Sequence, residues 1–296
     1  MILAADLGGT RIKIALVGAG GSVGAIELAE APPDAPSALA RTAQVGRQLL
    51  GNRRPAAVGI AVPGLVSTAG VVLALPGKFE GIEGVDLPAW ARETFGAPAT
   101  VANDAVAYGV GEARFGAGQG AQRVLVVTIG TGVGVCVVDG GQPVGSGPLG
   151  GGITGGNIPL GVKDPELLDT AERPGTVEAY CRARRIVDFA AAVGCTASTV
   201  PEVYAAAAAG DDLALQGLAT YRSWLVLGLS VLTVAHGAEL VVLGGGPVVP
   251  RAPILDGLTE GIRANLWPGH HLELRRAELG DGSALAGIAA LTAAGS

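Results

Sequence analysis

Apolar residues in this chain come in short unbroken runs cut by glycine. The first, Ile2-Leu3-Ala4-Ala5, reaches Asp6 and the bend Leu7-Gly8-Gly9-Thr10, then returns as Arg11-Ile12-Lys13-Ile14-Ala15-Leu16-Val17. Short continuous apolar runs bounded by turn residues read as buried strands. The element is therefore a hairpin with Asp6, Gly8, Gly9 and Thr10 at its bend, and not a phosphate loop that opens a helix. A second copy follows later in the chain. Val124-Leu125-Val126-Val127-Thr128-Ile129 runs into Gly130-Thr131-Gly132 and returns as Val133-Gly134-Val135. Glycine tolerates positive φ and lacks a Cβ, so the amides of such bends can close on phosphate oxygens as a nest. Asp6 would add the carboxylate that a magnesium ion or its water shell needs.

The same pattern predicts strands at 1–6, 12–17 and 23–28, a helix over 35–51 with Pro36 near its start, and a strand at 56–62 ending in Pro63-Gly64. A helix near 88–96 and a strand at 99–102 lead to Asn103-Asp104 and a helix over 105–115. Gly116-Ala117-Gly118-Gln119-Gly120 reads as a domain boundary. Strands at 123–129 and 133–138 then reverse at Asp139-Gly140-Gly141, followed mainly by helices over 164–236. A strand at 239–243 enters Gly244-Gly245-Gly246-Pro247, and helices at 253–264 and 283–294 frame a last strand at 271–277. We expect a small N-terminal domain, 1–115 plus the C-terminal helix 283–296, and a large domain, 116–282. Two halves that each open on a glycine-threonine hairpin point to an internal duplication with a cleft between them.

With 49% hydrophobic and 16% charged residues, the composition is that of a globular protein. Its 49 glycines weaken any single Gly-Gly as a signal, so the argument rests on two matching hairpins. A net charge of −6 gives no basic footprint, and we expect no nucleic-acid partner. Cys136, Cys181 and Cys195 form no C-x-x-C pair, so neither a disulfide framework nor a cysteine zinc site is indicated. The most hydrophobic stretch, Trp224 to Leu243, contains His236, Gly237 and Glu239. It reads as a core helix leading into a buried strand, so no membrane partner is expected. No basic region with a cleavage site precedes the first strand, and we expect a cytoplasmic protein.

Asp6-Leu-Gly-Gly-Thr10, Val62-Pro63-Gly64-Leu65-Val66, Asn103-Asp104 before a helix with Gly111-Glu112, Gly130-Thr131-Gly132-Val133-Gly134 and Leu243-Gly244-Gly245-Gly246 occur in that order. In this the chain resembles the ROK sugar kinases over almost its whole length. The resemblance implies an α/β fold of two actin-like (ribonuclease H-like) domains, each a mixed sheet flanked by helices, with ATP and Mg2+ in the interdomain cleft. It also implies transfer of the γ-phosphoryl group to a primary hydroxyl of a hexose-like sugar, and a homodimer. Asp104 is then the catalytic base, although Asn103-Asp104 equally suits the cap of the next helix. Asp6, Gly8, Gly9 and Thr10 would face magnesium and phosphates, with Thr131 and Gly132 opposite. Gly244 and Gly245 would let the backbone approach adenosine. Lys13 lies within reach of phosphate, with a solvated strand lysine as the other reading. Gly64, Lys78, Asn103, Asp104, Asn157 and Glu178 are the candidate acceptor contacts.

The chain departs from the family at Gly155-Gly156-Asn157-Ile158-Pro159-Leu160. Asn157 stands where the resemblance calls for glutamate and Leu160 where it calls for a zinc-binding histidine. The segment 161–177 has none of the cysteines that complete that site, so no zinc is expected. Glu178 matches a glutamate that contacts sugar in the family, and suits equally the first turn of a helix. Lys78 replaces an asparagine near the sugar. Losing a charged hydrogen bond costs about 1.5–3 kcal/mol, so the acceptor should differ where the missing groups would grip. A modified or amino sugar, or a sugar-like C7 cyclitol with a primary hydroxyl, meets that condition. A catalytically weak sugar-binding protein is the remaining alternative.

Overall fold

A computed structural model of the chain describes residues 1–75, 77–145 and 155–295. Pro76, in the Lys78 segment, and Ser296, the last residue of the expected C-terminal helix, lie outside them. The chain divides into two compact units, Met1–Gln122 with Cys136–Ile153 and Ala277–Ser296, and Arg123–Val135 with Thr154–Arg276.

In the first unit, β1 (Ile2–Leu7), β2 (Arg11–Val17) and β3 (Glu27–Glu30) form an antiparallel meander, while β4 (Ala57–Val62) and β7 (Ala99–Asn103) extend the sheet in parallel from β1. The order is β3-β2-β1-β4-β7. Strands β1 and β4 are buried almost throughout, as expected where both faces of a sheet are covered. One face carries α1 (Ala35–Leu50), capped by Asp34 with Pro36 in its first turn, and α2 (Leu87–Phe95), capped by Asp86 and closed by left-handed Gly96. These are the start and stop signals that helix ends need. A short antiparallel pair, β5 (Leu65–Val66) and β6 (Val72–Ala74), follows β4. The third strand lies later than expected. Gly20 and Gly21, at φ +72° and +79°, open a wide bend, so Val23 forms only an isolated bridge to Val17 and the ladder runs from Ile14↔Glu27 to Arg11↔Glu30.

The other face of this sheet carries α3 (Asp104–Phe115) and α9 (Ser283–Ala294). The two helices approach at backbone distance, because a Cβ on Gly111 would overlap Ser283 O and one on Gly287 would overlap Ala107 O. Glu112 locks the same junction. Fully buried, it accepts from Ala117 N, Glu278 N and Leu279 N at 3.1, 3.0 and 2.9 Å and from Ser283 Oγ at 2.7 Å.

The second sheet repeats the order of the first as β10-β9-β8-β11-β12, with β8 (Arg123–Ile129), β9 (Val133–Asp139), β10 (Gln142–Pro143), β11 (Leu240–Gly244) and β12 (Glu273–Arg276). As β4 and β7 extend from β1, so β11 pairs in parallel with β8 and β12 with β11. Helices α4 (Val177–Cys181), α5 (Arg184–Ala192), α6 (Val200–Ala208) and α8 (Leu258–Ala264) belong to the second unit together with α7 (Asp212–His236). The hydrophobic α7 packs against α4, α5, α6 and α8 and ends at left-handed Gly237. Helix formation begins only at Val177, not at 164, since the segment before it contains Pro165, Pro174 and left-handed Gly175. The helix expected over 253–264 is interrupted by Gly257 at φ +66°.

Truncation of Glu112 to alanine would leave the Ala117, Glu278 and Leu279 amides without this acceptor, while Ser283 Oγ keeps Gly280 O. Each unmet buried donor costs about 1–3 kcal/mol, so urea unfolding of Glu112→Ala should show a loss of about 3 kcal/mol or more. A loss below about 0.5 kcal/mol, the range of an ordinary surface change, would contradict the role given to this carboxylate.

Candidate functional site

The register of the first sheet gathers the conspicuous residues at one end. Asp6 pairs with Ala61 across β1 and β4, and Val62 with Asn103 across β4 and β7. The bend after β1, the Pro63-Gly64 turn after β4 and the start of α3 after β7 are therefore neighbours at the carboxyl ends of three parallel strands. Ligands of open α/β sheets bind at such ends. Asn103 fastens two of these pieces together. Its Nδ2 donates to Gly64 O at 2.9 Å, while its Oδ1 accepts from Ala105 N at 2.9 Å and Val106 N at 3.3 Å and caps α3. Gly64 has φ +87°, and a Cβ there would strike Ala74 O.

With Asn103 acting as the cap, the half-buried Asp104 carboxylate stands at the head of α3, where Ala105 N donates to it at 2.8 Å. Burial raises its pKa, opposed by that amide and by Lys78. Asp6 is 8% exposed. Its pKa is pushed up to about 6 by burial, with Asp104 adding repulsion and Lys13 pulling the other way. Asp6 and Asp104 thus sense each other. Lys13 lies 3.5 Å from Asp6 and 3.0 Å from Asp281. Burial works against its charge, but the two carboxylates outweigh burial and raise its pKa. Lys13 is consequently an ion-paired residue, neither solvated nor free. At the bend itself, backbone keeps Gly8 small, while Gly9 lies under the Lys78 side chain. A Cβ on Gly8 would lie 2.7 Å from Arg11 O, and one on Gly9 would lie 2.8 Å from Lys78 Cε. Thr10 is exposed, and its carbonyl accepts from Ala31 N at 3.2 Å.

In the second unit the bend Gly130-Thr131-Gly132 lies between β8 and β9, and Gly244 pairs with Thr128 at the same end of that sheet. Gly245, at φ +99°, leaves no room for a Cβ against Ile129 O. The bend is braced from behind by Glu178. This 7% exposed carboxylate accepts from Val133 N at 2.9 Å, Thr170 N at 2.7 Å and Thr170 Oγ at 2.6 Å, and a Cβ on Gly132 would lie 2.5 Å from its Oε2. Glu178 therefore spends its oxygens within the protein, tying the second bend to the segment before α4. Asn157 is engaged too, its Oδ1 accepting from Arg173 at 2.5 Å. Arg173 in turn pairs with buried Asp169 at 2.9 Å, and Asp169 accepts from Thr176 Oγ at 3.1 Å. Burial would raise the Asp169 pKa, but the Arg173 and Ala171 donors hold it below its ordinary value. Next to Glu178, Tyr180 stacks on Trp224 with ring centroids 3.9 Å apart.

Asp281, Thr170 and the clamping role of Glu112 escaped the sequence reading. Asp281 sits between two glycines with no local pattern to mark it, and only the packing of α9 brings it to Lys13.

Paired sheets of repeated order, each with a glycine-threonine bend at the ends of its parallel strands, define the actin-like, hexokinase-type fold. The chain belongs to the ROK family, whose family model matches residues 2–294. It is 28% identical to an N-acetylgalactosamine kinase of Shewanella sp. strain ANA-3, over 97% of this chain and 94% of that one. Among solved structures it is similar to a ROK hexokinase from Thermus thermophilus, with 25% identity, a TM-score of 0.85 and coverage of 100% and 99% of the two chains. A ROK family glucokinase from Streptomyces griseus, solved with glucose and AMPPNP, gives 27% identity, a TM-score of 0.82 and coverage of 98% of each.

The elevated Asp6 pKa has a sign that can be worked out. Between about pH 4 and pH 6 the folded chain keeps a proton on Asp6 that the unfolded chain has released, so this group lowers stability progressively as pH rises through that window. The displacement from 3.8 to about 6 corresponds to about 3 kcal/mol. Asp6→Asn escapes this cost. In urea unfolding it should be the more stable protein near pH 7.5, with the advantage shrinking toward pH 4.5; an advantage independent of pH would count against a perturbed Asp6.

Proposed function

We propose that this chain is a carbohydrate kinase that uses ATP and Mg2+ to phosphorylate a primary hydroxyl of a hexose-like sugar or sugar-like cyclitol. The observation that carries the reading is the proximity of Asp6 and Asp104 at the carboxyl ends of β1 and β7, beside the Gly8-Gly9-Thr10 bend. Sugar-kinase names among its relatives support the same class of reaction.

Asp104 takes the role of general base. A half-buried carboxylate with a raised pKa, held at the end of a strand by an Asn103-capped helix, is suited to accept the proton of an attacking hydroxyl. It also orients that oxygen in line with phosphorus, and positioning is the larger part of phosphoryl-transfer catalysis. Gly8, Gly9 and Thr10 are assigned to the phosphates, as are Thr131 and Gly132 in the second unit, while Gly244 and Gly245 are assigned to the nucleoside. Asp6 suits magnesium. Its carboxylate is buried, repelled by Asp104 and only partly neutralised by a Lys13 shared with Asp281, so a divalent cation would relieve the surplus charge. When bound, that ion supplies charge neutralisation on phosphate oxygens.

The acceptor side departs from the family pattern. Asn157 is occupied by Arg173 and Glu178 by Val133 and Thr170, so fewer charged groups remain to read ring hydroxyls. This supports a modified or amino sugar, or a cyclitol, as the acceptor; that the protein is a cytoplasmic homodimer is proposed on the family resemblance alone.

Asp104→Asn should lower kcat by about 100-fold or more, since a general base contributes about 10²- to 10⁴-fold, while nucleotide affinity stays near that of the wild type. Unchanged turnover would remove Asp104 from the role of base. A panel of hexoses, amino sugars and cyclitols assayed for ADP release should single out one acceptor class. Equal inactivity of every member would contradict the kinase assignment.

A further inference from the structure

Lys78 is placed with unusual care for an exposed residue. The loop that carries it is anchored through Phe79, which is buried and adopts φ +46°, a left-handed conformation that costs a non-glycine residue energy. Glu80 N donates to Pro33 O and Ala35 N donates to Glu80 O, both at 2.9 Å, and Leu75 N donates to Glu83 Oε1 at 2.8 Å. The loop is thereby fastened on either side of Lys78. The lysine stem lies flat on the first bend. A Cβ on Gly9 would stand 2.9 Å from Lys78 Cδ, 2.8 Å from Cε and 3.1 Å from Nζ, so glycine is what lets the stem settle there.

The ammonium so delivered makes no hydrogen bond or ion pair among the described residues, whereas the neighbouring Lys13 is held by two carboxylates. It acts on Asp104 by charge alone, stabilising the carboxylate form. A cation laid over a phosphate-sized bend, near Asp104 but not bonded to it, matches an anionic group that arrives with a ligand.

We propose that Lys78 is a catalytic residue, its ammonium, laid across Gly9, binding the terminal phosphoryl oxygens of the donor while that group passes to the acceptor. This rests on the kinase reading above. In the step, the acceptor O–H gives its proton to Asp104, the acceptor oxygen forms a bond to the γ-phosphorus, and the bond from that phosphorus to the bridging oxygen of the nucleoside triphosphate breaks. The electron pair leaves with the nucleoside diphosphate, and Lys78 stays protonated throughout. Charge spread over the three equatorial oxygens in the transition state is what a preorganised cation stabilises. An asparagine, which the family resemblance leads one to expect here, cannot supply that charge.

The test compares wild type with Lys78→Met, Lys78→Gln and Lys78→Arg. Binding of ADP and of AMPPNP is measured by calorimetry, and kcat and both KM values are measured with the best acceptor. In Lys78→Met and Lys78→Gln, affinity for AMPPNP should fall about tenfold with ADP affinity unchanged, and kcat should fall about 100-fold, the scale seen when one transition-state donor is removed. The acceptor KM should move less than about threefold, and Lys78→Arg should restore most of kcat, because it keeps the charge. Equal loss of ADP and AMPPNP affinity, or wild-type kcat in Lys78→Met, overturns the proposal and leaves the kinase reading standing. A rise confined to the acceptor KM also overturns it, since Lys78 would then read the acceptor. Wild-type protein that binds neither nucleotide and phosphorylates no acceptor brings down the kinase reading itself, and this proposal with it.

Discussion

Backbone contact between α3 and α9 is the constraint from which the candidate site follows. Only Gly111 and Gly287 allow the two helices to come so close, and each helix begins at a residue of consequence. Helix α3 opens on Asp104, and α9 follows directly on Asp281 and Gly282. Bringing the helices together therefore fixes Asp104, the proposed base, and the second partner of Lys13 in a single operation. Glu112 completes this arrangement by drawing the 278–283 segment onto α3 through four donors that also include Ala117. A buried carboxylate is costly unless hydrogen-bonded, and here the cost is offset by donors that would themselves lack acceptors.

A second arrangement of the same kind braces the other unit. Where the family resemblance leads one to expect zinc, the chain has Asn157, Arg173, Asp169 and Thr176 joined in one hydrogen-bonded network. Thr176 also caps α4, and Glu178 in that helix holds the exit of the Gly130-Thr131-Gly132 bend. Side-chain hydrogen bonds thus connect Asn157 to the cap of α4, and Glu178 carries the connection on to the bend. Several donors converging on Asp169 hold its carboxyl below the usual carboxylate range.

Much of this architecture was legible in the sequence. Both hairpins were readable because continuous apolar runs bounded by glycine leave few alternatives to buried strands, and α1 and α2 begin within a residue of their expected starts. The third strand was misplaced because an apolar run around Val23 cannot reveal that Gly20 and Gly21 have widened the bend before it. The start of the helical region was misjudged because Asp169, Arg173 and Thr176 satisfy one another through side chains, a mode of order with no periodicity. At the site, the sequence left Asn103-Asp104 open between cap and base, and the hydrogen bonds assign the cap to Asn103. Lys13 could not be interpreted without Asp281, whose position beside it depends on the path of the whole chain. Glu178 was weighed as a sugar contact or a dipole partner, while its bonds to Val133 and Thr170 depend on tertiary neighbours that no local spacing encodes.

The stack of Tyr180 on Trp224 gives the second unit a built-in optical reporter. Of the three tryptophans, Trp267 is 85% exposed and Trp90 meets Phe95 edge-on, so Trp224 is the indole whose emission is coupled to the helix bearing Glu178. Any ligand that shifts this helix changes the overlap of the two rings, and the event becomes visible as intrinsic fluorescence without a label.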